Sequence, residues 1–188
     1  MARKKPLPIA EVVLGLAIPI ILIVFAFPRL MSWIEGSVIG NEASELYYNL
    51  ETAKITAVKN KHRVWVEILG TSGYMIFEDI NGNGTLDTGE PTRKVNLNPE
   101  IQFGINLEPP IQNVWGTGTV SHPVEFVEGG NKIHLKPNGK TSSSGAVYFI
   151  AKRDLGNSDA DIRALKIIGT NGKISVLKIS PSDSPPWK

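Results

Sequence analysis

The stretch from Leu7 to Pro28, LPIAEVVLGLAIPIILIVFAFP, constrains this chain more than any other, because Glu11 is the sole charge across it. A helix needs roughly 20 largely apolar residues to cross the hydrocarbon core of a bilayer, and this run supplies them. A cleaved secretory signal has a shorter apolar core with a small-x-small site behind it. This run instead passes through Pro28 and Arg29 into polar, helix-forming sequence. Arg3, Lys4 and Lys5 precede it, whereas Glu35, Glu42 and Glu45 follow Arg29. That asymmetry predicts residues 1–6 in the cytoplasm and everything after Pro28 on the far side of the membrane.

An ionisable group inside an apolar span is costly, so Glu11 needs a partner and a purpose. Counted from Leu7 it stands fifth, with the basic leader just ahead and Pro28 seventeen residues further on. The arrangement resembles the N-terminus of type IV pilins and pseudopilins. The resemblance implies that a prepilin peptidase cuts between Pro6 and Leu7, that the new N-terminal residue is methylated, and that Pro28 kinks the helix. A free amine at Leu7 would lie one helical turn from Glu11 and neutralise it in the same or a neighbouring subunit, making Glu11 an assembly residue. The family's peptidase usually takes Gly before the cut and an aromatic after it; this chain has Pro6, Leu7 and then Pro8. Pro8 suits a first helical turn, where its missing N–H costs no bond.

At 188 residues the chain has room for the span and one domain with a real core. Three of the 20 basic residues belong to the leader and one of the 18 acidic residues is Glu11, which leaves 17 of each from Arg29 onward. A neutral outer part lacks the basic footprint of a nucleic-acid binder, and no nucleic acid partner is expected. The absence of cysteine excludes disulfides, thiolate metal sites and a cysteine nucleophile.

Residues 29–61 predict a continuation of the helix, weakened at Gly36 and Gly40 by about 1 kcal/mol each relative to Ala. Its firmer half begins at Asn41, a capping residue with Glu42 and Glu45 in the first turn. Ala43, Leu46, Leu50, Ala53 and Ala57 then recur at three-and-four spacing, a stripe that calls for a sheet to lie on. At His62 the period changes to two: Val64, Val66 and Ile68 alternate with Arg63, Trp65 and Glu67, and Tyr74, Ile76 and Glu78 with Met75 and Phe77. Thr71, Ser72 and Gly73 supply the turn between them. Further strands are expected from Ile101 to Leu107, Val124 to Val127, Lys132 to Lys136, Ala146 to Arg153, Ile162 to Ile168 and Lys173 to Ile179. Asn171-Gly172 marks the last hairpin. Pro109 to Pro123 reads as an irregular loop, and residues 181–188, with three prolines, as a flexible tail. Strands in succession after one helix give an α+β fold, a long N-terminal helix packed on an antiparallel β-sheet domain over residues 62–180.

That plan is pilin-like, and GYMIFEDINGNGTLDTGE, IHLKPNGK, GAVYFI and IRALKIIGTNGKI are similar, in this order, to the strand-and-turn blocks of minor pseudopilins of the GspH/FimT type. The resemblance is weakest from Asn98 to Glu128. It implies a single-pass protein of the bacterial inner membrane with a periplasmic domain. Its partners would be other pseudopilins or pilins, met through the N-terminal helix, and the prepilin peptidase. Its work would be assembly into a type II secretion pseudopilus or type IV pilus machinery. A basic Gly-Arg-x-Arg motif tied to DNA uptake in some FimT-like proteins is replaced here by Gly172-Lys173-Ile174-Ser175.

One stretch carries metal chemistry. From Asp79 to Glu90 the sequence DINGNGTLDTGE matches the twelve-residue EF-hand pattern: side-chain oxygens at Asp79, Asn81, Asn83 and Asp87, the Thr85 carbonyl, a turn at Gly84 and a bidentate carboxylate at Glu90. Hard oxygen ligands at this spacing suit Ca²⁺. A strand leads in and Pro91 follows, so no helix pair is expected around it, and the alternative reading is a polar hairpin turn. The rival to an assembly subunit is accordingly a membrane-anchored, calcium-stabilised binding or adhesion domain. Catalysis is not expected. His62, His122 and His134 fall at unrelated spacings, and Ser121-His122 are neighbours in an extended segment, where side chains point to opposite faces.

Overall fold

Helix α1 runs through residues 37–60 and lays its apolar stripe on two antiparallel sheets. The computed structural model describes residues 37–108, 110–128, 130–157, 161–180 and 186–188, together with Ile23. The chain divides into two units, Met1–Ser37 and Val38–Lys188. Of the first, only Ile23, which is helical, and Ser37 are described. The expected span from Leu7 to Pro28 therefore lies outside the described residues except for Ile23. Among those described, no helix is long and apolar enough to cross a membrane.

Ala43, Leu46, Leu50, Ala53 and Ala57 are all buried, as the spacing predicts, and Ile39 extends the stripe one turn earlier. Helix continues through Gly40 and Asn41, so Asn41 is not a cap. Burial of Ile39 and Ala43 on either side outweighs the propensity cost of the glycine between them, which tertiary packing can do. The helix ends at Lys61, which takes a left-handed φ of 62° and returns its N–H to the Ala57 carbonyl at 3.1 Å.

Among the described residues nine strands follow: β1 Arg63–Leu69, β2 Gly73–Asp79, β3 Thr92–Asn96, β4 Ile101–Phe103, β5 Val124–Phe126, β6 Lys132–Leu135, β7 Gly145–Ala151, β8 Arg163–Ile168 and β9 Lys173–Lys178. They form two sheets rather than the one expected. The first has the order β3-β2-β1-β6; the second has β4-β7-β8-β9, with β5 also paired to β7. Val64, Val66 and Ile68 of β1 face α1, as do Phe103 and Phe149 of the second sheet, so both sheets share one core with the helix. β3 is a strand the sequence reading lacks. Only Val95 of its five residues is buried, and Arg93 and Lys94 sit on it as charges suited to an exposed sheet edge.

β7 is buried along its whole length because both of its faces are covered. α1 covers one. The other holds a second cluster, in which Ile111, Val114 and Val120 of the irregular segment pack on Ala146, Tyr148 and Ile150. Strand β4 stops at Phe103, short of the expected Leu107; the Gly104 amide still donates to the Tyr148 carbonyl at 3.0 Å, and a side chain at Gly104 would meet Ile150 Cγ2 at 2.7 Å.

The expected flexible tail is corrected at its end. Trp187 is buried within the second cluster, its indole Nε1 donates to the Gln112 carbonyl at 2.6 Å, and the Lys178 and Lys188 backbones exchange two hydrogen bonds. Residues 181–185 lie outside the described residues. Proline forbids continuous strand pairing, but one large aromatic side chain is enough to dock the segment after it.

Candidate functional site

The twelve residues of the metal motif connect β2 to β3, so the expected strand leads in and a second strand, which the sequence did not reveal, leads out. Asp79 ends β2 and is 0% exposed. Register explains its surroundings: Arg63 stands opposite Asp79 and Trp65 opposite Phe77, which sets Trp65 diagonally across from Asp79 on the sheet face turned away from α1. Trp65 Nε1 donates to Asp79 Oδ2 at 3.0 Å, and the Gly84 amide donates to the same oxygen at 3.0 Å. Gly84 can come this close only without a side chain. Its φ is +78°, and an added Cβ would lie 3.3 Å from Trp65 Cζ2. The loop is thereby folded back onto the indole.

Burial pushes the Asp79 carboxyl up. The donors from Trp65 and Gly84 outweigh it, helped by the nearby Gly82 amide and the Arg63 charge, and hold the group below the usual carboxylate range. Its second oxygen, Oδ1, is buried and accepts no hydrogen bond. Further along, Asn81 Oδ1 accepts from the Asn83 amide at 3.0 Å and Asn83 Oδ1 from the Thr85 amide at 2.8 Å. The amide nitrogens of Asn81 and Asn83 both donate to Asp87 Oδ2, at 2.7 and 2.6 Å. Glu90 spans the loop, Oε1 accepting from the Ile80 amide at 2.8 Å and Oε2 from the Asp87 amide at 3.0 Å. The structure thus gathers Asn81, Asn83 and Asp87 about one point, with Asp79 and Glu90 at the two ends of the loop and Thr85 between. Among the described residues no three acidic or histidine side chains lie close enough to hold an ion as they stand.

Two residues of this region escaped the sequence reading. Trp65 looks like an ordinary outward strand position, and nothing local marks it as the anchor of a loop fourteen residues on. Lys132 places its ammonium 4.7 Å from the centre of the Trp65 ring and 3.1 Å from the Gly84 carbonyl oxygen, to which it donates. His134, opposite Trp65 in the register, packs against the same indole with ring centres 4.4 Å apart, and its Nδ1 is buried with no hydrogen-bond partner. Burial, reinforced by Arg63 and Lys136, pushes the His134 pKa below its ordinary 6.5. Because the folded value is depressed, the unfolded chain takes up the proton first. The stability at stake is complete above about pH 6.5 and is lost as pH falls toward the folded value. Full-length protein should therefore melt at a falling temperature below about pH 6.5, and His134→Phe should flatten that part of the profile. Equal slopes in the two melts would assign the acid sensitivity elsewhere.

Ser121 and His122 do not diverge as expected for an extended segment. The chain bends at His122, where His122 Nδ1 lies 3.1 Å from Ser121 Oγ, and Ser121 Oγ donates to Glu125 Oε1 at 3.1 Å. The order is wrong for a relay, since the carboxylate holds the hydroxyl and not the imidazole. His62 pairs with Glu78 at 2.6 Å. Pro6, Leu7, Glu11 and Pro28, the expected processing and assembly residues, lie outside the described residues.

Comparison with known proteins bears on the whole domain. No curated protein sequence matches the chain. Among solved structures, the fold is similar to that of the minor pseudopilin EpsH from the type 2 secretion system of Vibrio cholerae. The TM-score is 0.50 and the identity 13%, over 77% of this chain and 98% of that one. The sequence profile of GspH, described as a type II transport protein, matches residues 42–172, from the first turns of α1 to the last hairpin. With most of its helix-and-sheet domain inside that match, the chain belongs to the GspH family, whose members are structural proteins and not enzymes.

Proposed function

We propose that this protein is a minor pseudopilin that assembles through its N-terminal helix into the pseudopilus of a type II secretion system. The observation that carries the reading is the two-sided character of α1. One row is buried on the sheets, while Tyr48 and Ile55, seven residues apart on another face, are 66% and 64% exposed. A helix already docked on its own domain has no internal use for a second set of large apolar residues, and packing among neighbouring helices would give them one. Leu7 to Pro28 supplies the membrane-resident half of that helix, with Glu11 as the group that sets register between subunits. The leader stays in the cytoplasm, the domain stands in the periplasm, and a prepilin peptidase cuts between Pro6 and Leu7 before the new N-terminus is methylated.

Two measurements test this in cells carrying the matching secretion genes. Intact-mass analysis of the native protein should give a chain that begins at Leu7 and carries one added methyl group. Glu11→Ala should leave membrane insertion unharmed, since it removes a charge from the span, but reduce co-purification with partner pseudopilins to background. Recruitment undiminished by Glu11→Ala, in a chain that still carries its leader, would favour the rival reading of a simple membrane-anchored binding domain.

A further inference from the structure

The loop between β2 and β3 carries a feature that assembly does not use. A carboxylate that is fully buried is normally satisfied at both oxygens, because an unpaired buried acceptor forfeits its hydration without return. Asp79 breaks this pattern: Oδ2 takes two donors, while Oδ1, which is also buried, takes none. Position and partners coincide at this residue. Asp79 is the first ligand position of the twelve-residue motif, and Gly84, whose amide binds it, is the turn glycine at the sixth.

The rest of the motif is folded into the same loop. The side-chain amide nitrogens of Asn81 and Asn83, at positions three and five, lie 2.7 and 2.6 Å from Asp87 Oδ2, at position nine, so the three side chains meet at one point. In the structure the two amide groups lend Asp87 their partial positive charge, the part a cation would take. Glu90, at position twelve, turns its carboxylate into the loop, with one oxygen accepting from the Ile80 amide and the other from the Asp87 amide.

We propose that residues 79–90 bind one Ca²⁺, held by side-chain oxygens of Asp79, Asn81, Asn83 and Asp87, the Thr85 carbonyl and both oxygens of Glu90. The ion gives Asp79 Oδ1 its missing partner and draws the three carboxylates together, which their mutual repulsion otherwise resists. It locks the loop onto Trp65, so that the outer face of the first sheet becomes rigid when calcium is present. The site is independent of how the N-terminal helix assembles, so its presence or absence leaves the pseudopilin reading untouched.

The test uses full-length protein in detergent micelles, stripped of metal with a chelator and titrated with calcium chloride. Equilibrium dialysis should give one ion per chain with a Kd on the order of 10⁻⁵ to 10⁻³ M, the range of an exposed loop with three carboxylates. At about a hundred times Kd the folded state should gain roughly a hundredfold over the unfolded, read as a higher melting temperature. Asp87→Asn and Glu90→Gln each remove a charged ligand and should weaken binding by about tenfold or more, with magnesium a poor substitute because it demands a tighter octahedral shell. Far-UV circular dichroism of the calcium-free variants checks that they fold. If Glu90→Gln does not, Asp87→Asn decides alone. No saturable uptake by folded wild type at 10 mM calcium, taken as about ten times the weakest Kd expected, would overturn the site. So would a Kd unchanged in the folded variants, or equal binding of magnesium, which would mark ordinary screening of an acidic turn.

Discussion

Trp187→Ala should destabilise the folded domain by about 3–5 kcal/mol, the cost of emptying a buried aromatic position. The side chain is only 8% exposed although it is the next-to-last residue of the chain. Its ring lies 5.6 Å from that of Tyr148, and its N–H holds the Gln112 carbonyl at 2.6 Å. Removing it opens the second cluster from the side on which Ile111 and Val114 close it, so the irregular segment should loosen along with the C-terminus. Trp187→Phe separates packing from hydrogen bonding. It keeps most of the ring and leaves the Gln112 carbonyl unpaired, for a cost of about 1–3 kcal/mol. Urea denaturation of the full-length protein in micelles, followed by far-UV circular dichroism so that loss of a fluorophore does not confuse the readout, gives both values. An alanine variant within about 0.5 kcal/mol of wild type would mean that the C-terminal residues do not dock.

That contact shows where local sequence stops informing. The helix stripe and the alternation of β1 were legible because the side chains that share a face recur at a fixed short period, whatever they later meet. β3 was not, because an edge strand with one inward residue has almost no alternation to read. The division into two sheets was hidden for another reason. It depends on β4 and β5 pairing along β7, more than forty and about twenty residues away in the chain, and such pairings leave no local mark. In the tail, prolines 181, 185 and 186 outvoted a single tryptophan, although burial of one large ring is worth more than the disorder they suggest. The candidate site divides in the same way. Its ligand spacing lies in twelve consecutive residues and can be read directly. The Trp65 and Lys132 that clamp it arrive through the register of β1 with β2 and β6, which only the folded chain displays.

Leu50→Ala and Ile55→Ala form the sharpest test of how α1 sits, because they are five residues apart on one helix and should differ widely. Leu50 is 1% exposed and packs in the cluster shared by both sheets, so its truncation should cost about 2–5 kcal/mol, set by how far the cavity can collapse. Collapse is limited here. The neighbours in the stripe are Leu46, Ala53 and Ala57, and alanines have no side-chain freedom with which to fill a void, which argues for the upper half of that range. Ile55 is mostly in water, and Ile55→Ala should fall within about 0.5 kcal/mol of wild type, helped slightly by the better helix propensity of Ala. Denaturant midpoints of the two variants at constant m-value measure the contrast. Comparable losses at both positions would mean that the helix meets a partner on its second face even in the isolated protein. A small loss at Leu50 would mean that the stripe does not bear on the sheets. With the contrast in place, Ile55→Ala becomes a clean probe of assembly, since any fall in pseudopilin recruitment it causes would have to come from the lost surface and not from a weakened fold.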